Sequence, residues 1–166
     1  MENLELLRAR RSIRVFQDKT IDRKDLEKLI DCARFAPTAR NLQPWEFVAV
    51  TDKRKLTELS KLAENGRFLA QAAACIAVFC LDTKYYLEDG CSATCNILLA
   101  ATALGIGSCW VAGDKKPYAG QVSVLLNAPV GMKLISLLAL GYPQEKNCFK
   151  QADKRRLKEV LHWENF

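Results

Sequence analysis

Residues 88–112 read EDGCSATCNILLAATALGIGSCWVA, and this stretch decides the fold. After Cys95 it is apolar on nearly every side, rich in Ala and Leu, which predicts a buried central helix over 88–104. Gly105 is suited to stop that helix. GSCWVA, residues 107–112, then has the composition of a strand. A long buried helix running straight into a strand needs a sheet to pack on.

The sheet is found on either side of it. ACIAVFCL (74–81) is a continuous apolar run of strand length, as expected of a strand buried on both faces. KLISLLAL (133–140) is a second, ending at Gly141-Tyr142-Pro143, and EFVAVT (46–51) is a third. Helices are predicted over 2–9, 22–35, 52–64 and 117–126. In the second, Leu26, Leu29, Ile30 and Ala33 share one face, Asp22 and Asp25 favour its start, and Pro37 ends it. In the third, Leu56, Leu59, Leu62 and Ala63 point inward; in the fourth, Pro117 suits the first turn. Four strands interleaved with five helices imply a layered α/β or α+β arrangement. With 166 residues and no linker or repeat, one domain over 1–166 is expected.

The composition is 49% apolar and 27% charged, which argues against disorder. No apolar run reaches the ~18 residues of a membrane span, and MENLELLRARRS lacks the apolar core of an export signal. Seven cysteines, an odd number, point to reduced thiols and a cytoplasmic location. Cys91 and Cys95 fall on one helix face, but with His162 the only histidine they read as small apolar core residues, not as metal ligands.

The net charge of +6 is concentrated. Arg8, Arg10, Arg11 and Arg14 lie near the start, and Lys150, Lys154, Arg155, Arg156 and Lys158 near the end. Such clusters can converge on one anionic ligand, form a nucleic-acid footprint, or be solvated surface, and charge alone does not separate these. The chain has no GxGxxG, no P-loop and no GxSxG.

Three segments remain. Arg10-Arg11-Ser12-Ile13-Arg14 packs three guanidinium forks and a hydroxyl into five residues, a set suited to a phosphate monoester or to open surface. PTARNLQPW (37–45) is a proline-bounded loop whose Asn41 and Gln43 amides suit either a heterocycle edge or the loop's own backbone. LGIGSCWVAG (104–113) carries glycines that would let backbone approach a flat ligand, or simply stop a helix before a buried strand.

These segments in this order, followed by LGYP (140–143), a basic K-x-R at 154–156 and HWE at 162–164, resemble the nitroreductase family of flavin enzymes over residues 4–164. The chain looks like the compact type. The resemblance implies an α+β, three-layer α/β/α fold with a mixed, mostly antiparallel central sheet flanked by helices, in an intertwined homodimer with FMN at the shared interface. Arg10, Arg11, Ser12 and Arg14 match the first flavin motif. Pro37, Thr38, Asn41 and Gln43 match a second, which the family takes from the partner subunit. Ala39 stands where relatives often have a second serine. Ala112 and Gly113 fall where backbone amides approach flavin N5, and Lys154 and Arg156 match a late basic pair on the phosphate.

The activity so implied is ping-pong transfer. Hydride passes from NAD(P)H to FMN, then electrons pass to a small acceptor such as a nitroaromatic or quinone, with no side-chain acid or base required. Phe68, Tyr85 and Tyr86 are candidate pocket walls. Two rivals are a non-turnover flavin sensor using a thiol such as Cys109, and a basic nucleic-acid-binding domain. The second is disfavoured because aromatics do not interleave with the basic clusters. No membrane partner is expected. Val160, Leu161, Trp163 and Phe166 at the end suggest docking onto a second subunit.

Overall fold

The computed structural model describes residues 3–166. Its helices are α1 (Asn3–Ala9), α2 (Arg23–Ala33), α3 (Lys53–Leu62), α4 (Tyr86–Ala103) and α5 (Ala119–Leu125). Its strands are β1 (Trp45–Val50), β2 (Ala74–Leu81), β3 (Gly107–Ala112) and β4 (Met132–Gly141). The bounds of β2 and β3 are those predicted. Residue 2, the expected start of the first helix, lies outside the described residues.

Helix ends moved inward where capping took over. Asp22 and Asp52 stand just outside α2 and α3; the Asp22 side chain accepts the Lys24 N–H and that of Asp52 accepts the Arg54 and Lys55 N–H groups. The two bonds to Asp52, that from Lys55 first and then that from Arg54, hold its carboxyl below the usual carboxylate range. At the other end of α2, the Arg34 N–H returns to the carbonyls of Ile30 and Cys32, so the helix closes at Ala33 and not at 35. Gly105, at φ +70°, follows the end of α4 in the left-handed region, as a helix stop there requires.

The sheet order is β1-β2-β4-β3. Every pairing among these strands is antiparallel, so the expected mixed sheet is corrected to an antiparallel one of four strands. Among the described residues the one parallel element is a single bridge, Ser12 to Ser108. Period-two alternation sends Ile76, Val78 and Cys80 to the face covered by α2 and α4. It sends Cys75, Ala77 and Phe79 to the face covered by α3 and α5. Helices therefore flank both faces. A bulge in the β2–β4 pairing at Val78/Phe79 puts Ile135 beside Ser136, both toward α4. There the Ser136 hydroxyl bonds that of Thr94 at 2.8 Å, and Ile135 lies so close to Gly90 that a Cβ on Gly90 would meet it at 2.6 Å.

The helix α4 is buried toward the sheet, but Cys95, Ala103 and Leu104 stay open to solvent. Among the described residues no helix is long and apolar enough to cross a membrane.

Candidate functional site

The site forms along the outer edge of β3. At its upper end the chain entering from α1 lies across the sheet as a strap. The Ile13 N–H donates to the Ser108 carbonyl at 2.9 Å, Gln17 N–H to Tyr142 at 2.8 Å, and Gln144 N–H to Val15 at 3.2 Å. Two motif glycines make this approach possible. A Cβ on Gly107 would sit 2.9 Å from the Ile13 side chain, and one on Gly141 would sit 2.7 Å from the Phe16 ring. Gly107 of LGIGSCW and Gly141 of LGYP thus serve backbone–side-chain packing of the strap.

The strap presents its arginines to a cleft of about 450 Å³ lined by Arg8, Arg10, Arg11, Ser12, Arg14 and Lys154, with Leu7, Gln151 and Ala152 completing it. The N-terminal basic cluster and Lys154 of the C-terminal one, remote in sequence, therefore meet. Arg156 does not line this cleft; it precedes a short 3-10 turn at Leu157–Glu159, its N–H bonded to the Glu159 carboxylate at 3.1 Å. The Arg14 guanidinium lies 5.8 Å over the Phe68 ring, at the outer limit of cation–π range.

From Ser108 the edge runs four residues to Ala112, about 14 Å at strand rise. Here the sheet register decides which amide is available. The Gly113 N–H points inward and donates to the Ile135 carbonyl at 3.0 Å. Backbone groups of successive residues in an antiparallel pair point to opposite sides. With Ala112 opposite Ser136, the Ala112 N–H and carbonyl face off the edge, where the carbonyl accepts the Tyr118 hydroxyl. Of the two amides singled out from sequence, only that of Ala112 is directed outward. Gly113 matters by its missing Cβ, which would strike Leu134 at 2.6 Å.

The second motif stands elsewhere. The loop holding Pro37, Thr38, Asn41 and Gln43 leads into β1, the opposite edge strand, three strand spacings or about 14 Å from β3. One chain does not bring the two motifs together. Within the loop, the Gln43 amide donates to Asn41 Oδ1 at 3.2 Å, and Thr38 Oγ1 donates to Asp89 Oδ2 at 2.8 Å. Asp89, in the first turn of α4 beside Glu88, escaped the sequence reading, because acids are ordinary at a helix start. Of the candidate pocket walls, Tyr86 donates to Asp114 at 2.9 Å, a bond that pushes its phenol pKa up, while Tyr85 is exposed and Phe68 half-buried.

Burial pushes the Cys109 thiol up, against the opposing pull of Arg14, Ser12 and Arg10. A protonated, buried thiol is a poor nucleophile. No group of three or more His, Cys, Asp or Glu side chains among the described residues is placed to hold a metal ion.

This chain matches the family model described as "Nitroreductase family" over residues 7–82 and the one described as "Putative TM nitroreductase" over residues 56–166. It is 37% identical, over 99% of both chains, to an Archaeoglobus fulgidus protein described as "Putative NADH dehydrogenase/NAD(P)H nitroreductase". Its fold superposes with a TM-score of 0.93 on a Parabacteroides distasonis structure of the same description, at 26% identity and covering 100% of this chain and 99% of that one. It superposes with a TM-score of 0.90 on an FMN-dependent nitroreductase of Clostridium difficile, at 29% identity, covering 98% of this chain and 99% of that one. A family model spanning two thirds of the chain, a relative matched end to end and a shared fold give one answer: the chain belongs to the nitroreductase family.

Proposed function

We propose that this chain works as a single domain in a homodimer, as an FMN-dependent oxidoreductase that takes hydride from NAD(P)H and passes electrons to a small acceptor such as a nitroaromatic or a quinone. The observation that carries this reading is the meeting of Arg8, Arg10, Arg11, Ser12 and Arg14 with Lys154 in one cleft at the head of the β3 edge. The donor set suits a phosphate monoester: guanidinium forks match phosphate oxygens, and Ser12 adds a hydroxyl. From that cleft the edge extends about 14 Å to Ala112, room for a chain and a flat ring beyond the phosphate. The cleft's lining has no aromatic side chain, whereas a groove for single-stranded nucleic acid stacks its bases on aromatics.

Bound FMN would supply the two-electron chemistry that turns NAD(P)H, a proton and a quinone into NAD(P)+ and a hydroquinone. The protein's part is to bind and orient. Arg10, Arg11, Ser12 and Lys154 hold the phosphate end, with Arg14 beside them offering positive charge toward the ring end. The Ala112 amide offers a fixed donor at the far end of the edge, and no ionisable side chain is needed to move a proton there.

A second copy supplies what one chain lacks. The loop with Pro37, Thr38, Asn41 and Gln43 lies at the far edge of the sheet, so its contribution to the β3 site comes from the partner. Apolar surface left open in the single chain supports this association: Trp163 is 76% exposed and Leu157 71%.

The test is a visible absorption spectrum after the purified protein is loaded with FMN and freed of excess, then treated with NADH or NADPH without oxygen. About one flavin per chain, bleached by the reductant, is the expected result. A protein that retains no flavin would refute the reading.

A further inference from the structure

The loop at 38–43 has no glycine, yet three of its residues sit in the left-handed region: Arg40 at φ 52°, Asn41 at 55° and Gln43 at 49°. Asn tolerates this conformation, but Arg40 and Gln43, longer side chains with no such local help, hold it where the surroundings enforce it. The enforcing group is on α4. The Asp89 carboxylate, 4% exposed, accepts the Thr38 hydroxyl on Oδ2 at 2.8 Å and the Ala39 N–H on Oδ1 at 3.1 Å. Thr38 Oγ1 in turn accepts the Gln43 N–H at 3.1 Å. A threonine hydroxyl has one proton to give, and here it is given to Asp89. The Ala39 amide is spent on the same carboxylate. Neither is left to donate to a ligand.

We infer that Asp89 and Thr38 are positioning residues that set the 40–43 turn, and that the donor this turn offers to a ligand is the Asn41 side-chain amide. Gln43 restrains that amide: its Nε2 donates to Asn41 Oδ1 at 3.2 Å, which engages the oxygen and leaves the Nδ2 protons of this exposed side chain to donate elsewhere. The turn is thereby built to meet an acceptor atom, such as a ring carbonyl. This rests on the flavin reading above for the identity of the ligand, but not for the existence of the clamp.

Two measurements on the full-length chain test it. The first is hydrogen exchange of the segment 37–44 without flavin. Asp89→Asn and Thr38→Val speed exchange at the Ala39 and Gln43 amides by about tenfold or more, confined to this segment, because a buried bonded group loses its partner. The second is titration with FMN, followed by quenching of flavin fluorescence well below the melting temperature. Both variants weaken binding by about tenfold, their double variant is no weaker than Thr38→Val alone because they act as one unit, and Thr38→Ser restores both readouts. Thr38→Val, at a half-buried loop position, covers the case in which Asp89→Asn does not fold. Unchanged exchange in these variants would overturn the clamp. Weaker FMN binding by Thr38→Val together with wild-type binding by Asp89→Asn would instead make Thr38 a direct ligand, and would also overturn it. If the wild-type protein binds no FMN, the flavin reading falls, and exchange alone decides the clamp.

Discussion

The strap that carries Ser12 and Arg14 rests on Gly141, and Gly141→Ala should dislodge it. An added Cβ would lie 2.7 Å from Phe16 Cγ and Cδ1 and 2.9 Å from Phe16 Cβ, where carbons prefer about 3.5–4.0 Å. Phe16 must retreat by about 1 Å, yet it is 7% exposed and packed among the residues under α3 and α5. Its backbone is pinned on both sides by the Gln17–Tyr142 and Val15–Gln144 bonds. Overpacking of this kind costs about 1–3 kcal/mol. For a chain of this length that lowers Tm by roughly 2–4 °C per kcal/mol, or about 2–12 °C in all. The assay is urea and thermal unfolding at one fixed protein concentration, since association would otherwise shift the apparent stability. Gly120→Ala is the control: nothing lies within 4 Å of its added Cβ, and in a helix the change should be neutral or stabilise by up to about 1 kcal/mol. Phe16→Leu makes room for the new methyl, so the two changes together should cost less than their sum. Wild-type stability in Gly141→Ala, or strict additivity with Phe16→Leu, would refute the reasoning.

Other outcomes follow from the same geometry. Arg10→Ala and Lys154→Ala should weaken FMN by about 10-fold or more, the scale of a lost charge-assisted bond. They should leave riboflavin, which lacks the phosphate, unaffected, as parallel fluorescence titrations would read. Burial pushes the Cys75 and Cys80 thiols up to about 12, from an ordinary 9.0. Their thiols stay neutral in the folded chain while the unfolded chain ionises above pH 9. The stability they confer is therefore complete below pH 9 and is lost progressively from there toward pH 12, which unfolding midpoints across that range will show. At neutral pH, iodoacetamide with mass-spectrometric mapping should modify the exposed Cys32 and Cys95 and spare Cys75 and Cys80. Truncation before Trp163 should shift sedimentation toward monomer and reduce FMN retention together, and a truncated protein that stays dimeric and flavin-loaded would defeat the docking role of the tail.

Local patterns carried much of the fold. The runs ACIAVFCL and GSCWVA gave strand bounds that the structure keeps residue for residue, because a strand buried on both faces has a sharp compositional edge. Helix ends were less legible, since capping by Asp22 and Asp52 depends on which backbone groups lack partners and not on periodicity. The site divides in the same way. The basic residues of the strap were visible as a charge cluster, and Lys154 joins them in the cleft, but Arg156, equally basic and two positions on, does not. Nothing in the tail's composition separates those two; the path of the chain does.

By itself, then, the sequence determined which segments are strands and helices, which faces are apolar, and which order of motifs marks the family. These depend on side chains a few positions apart. The tertiary structure alone decided that the sheet is antiparallel throughout its four strands and that β3 is an edge. It alone turned the Ala112 amide outward and the Gly113 amide into the sheet. It also set Asp89 against a loop 50 residues away. Each of those outcomes rests on hydrogen bonds between groups remote in the chain, such as Gln17 to Pro143 across 126 residues. Only the packed molecule brings such groups within bonding distance, so no local pattern of residue types encodes them.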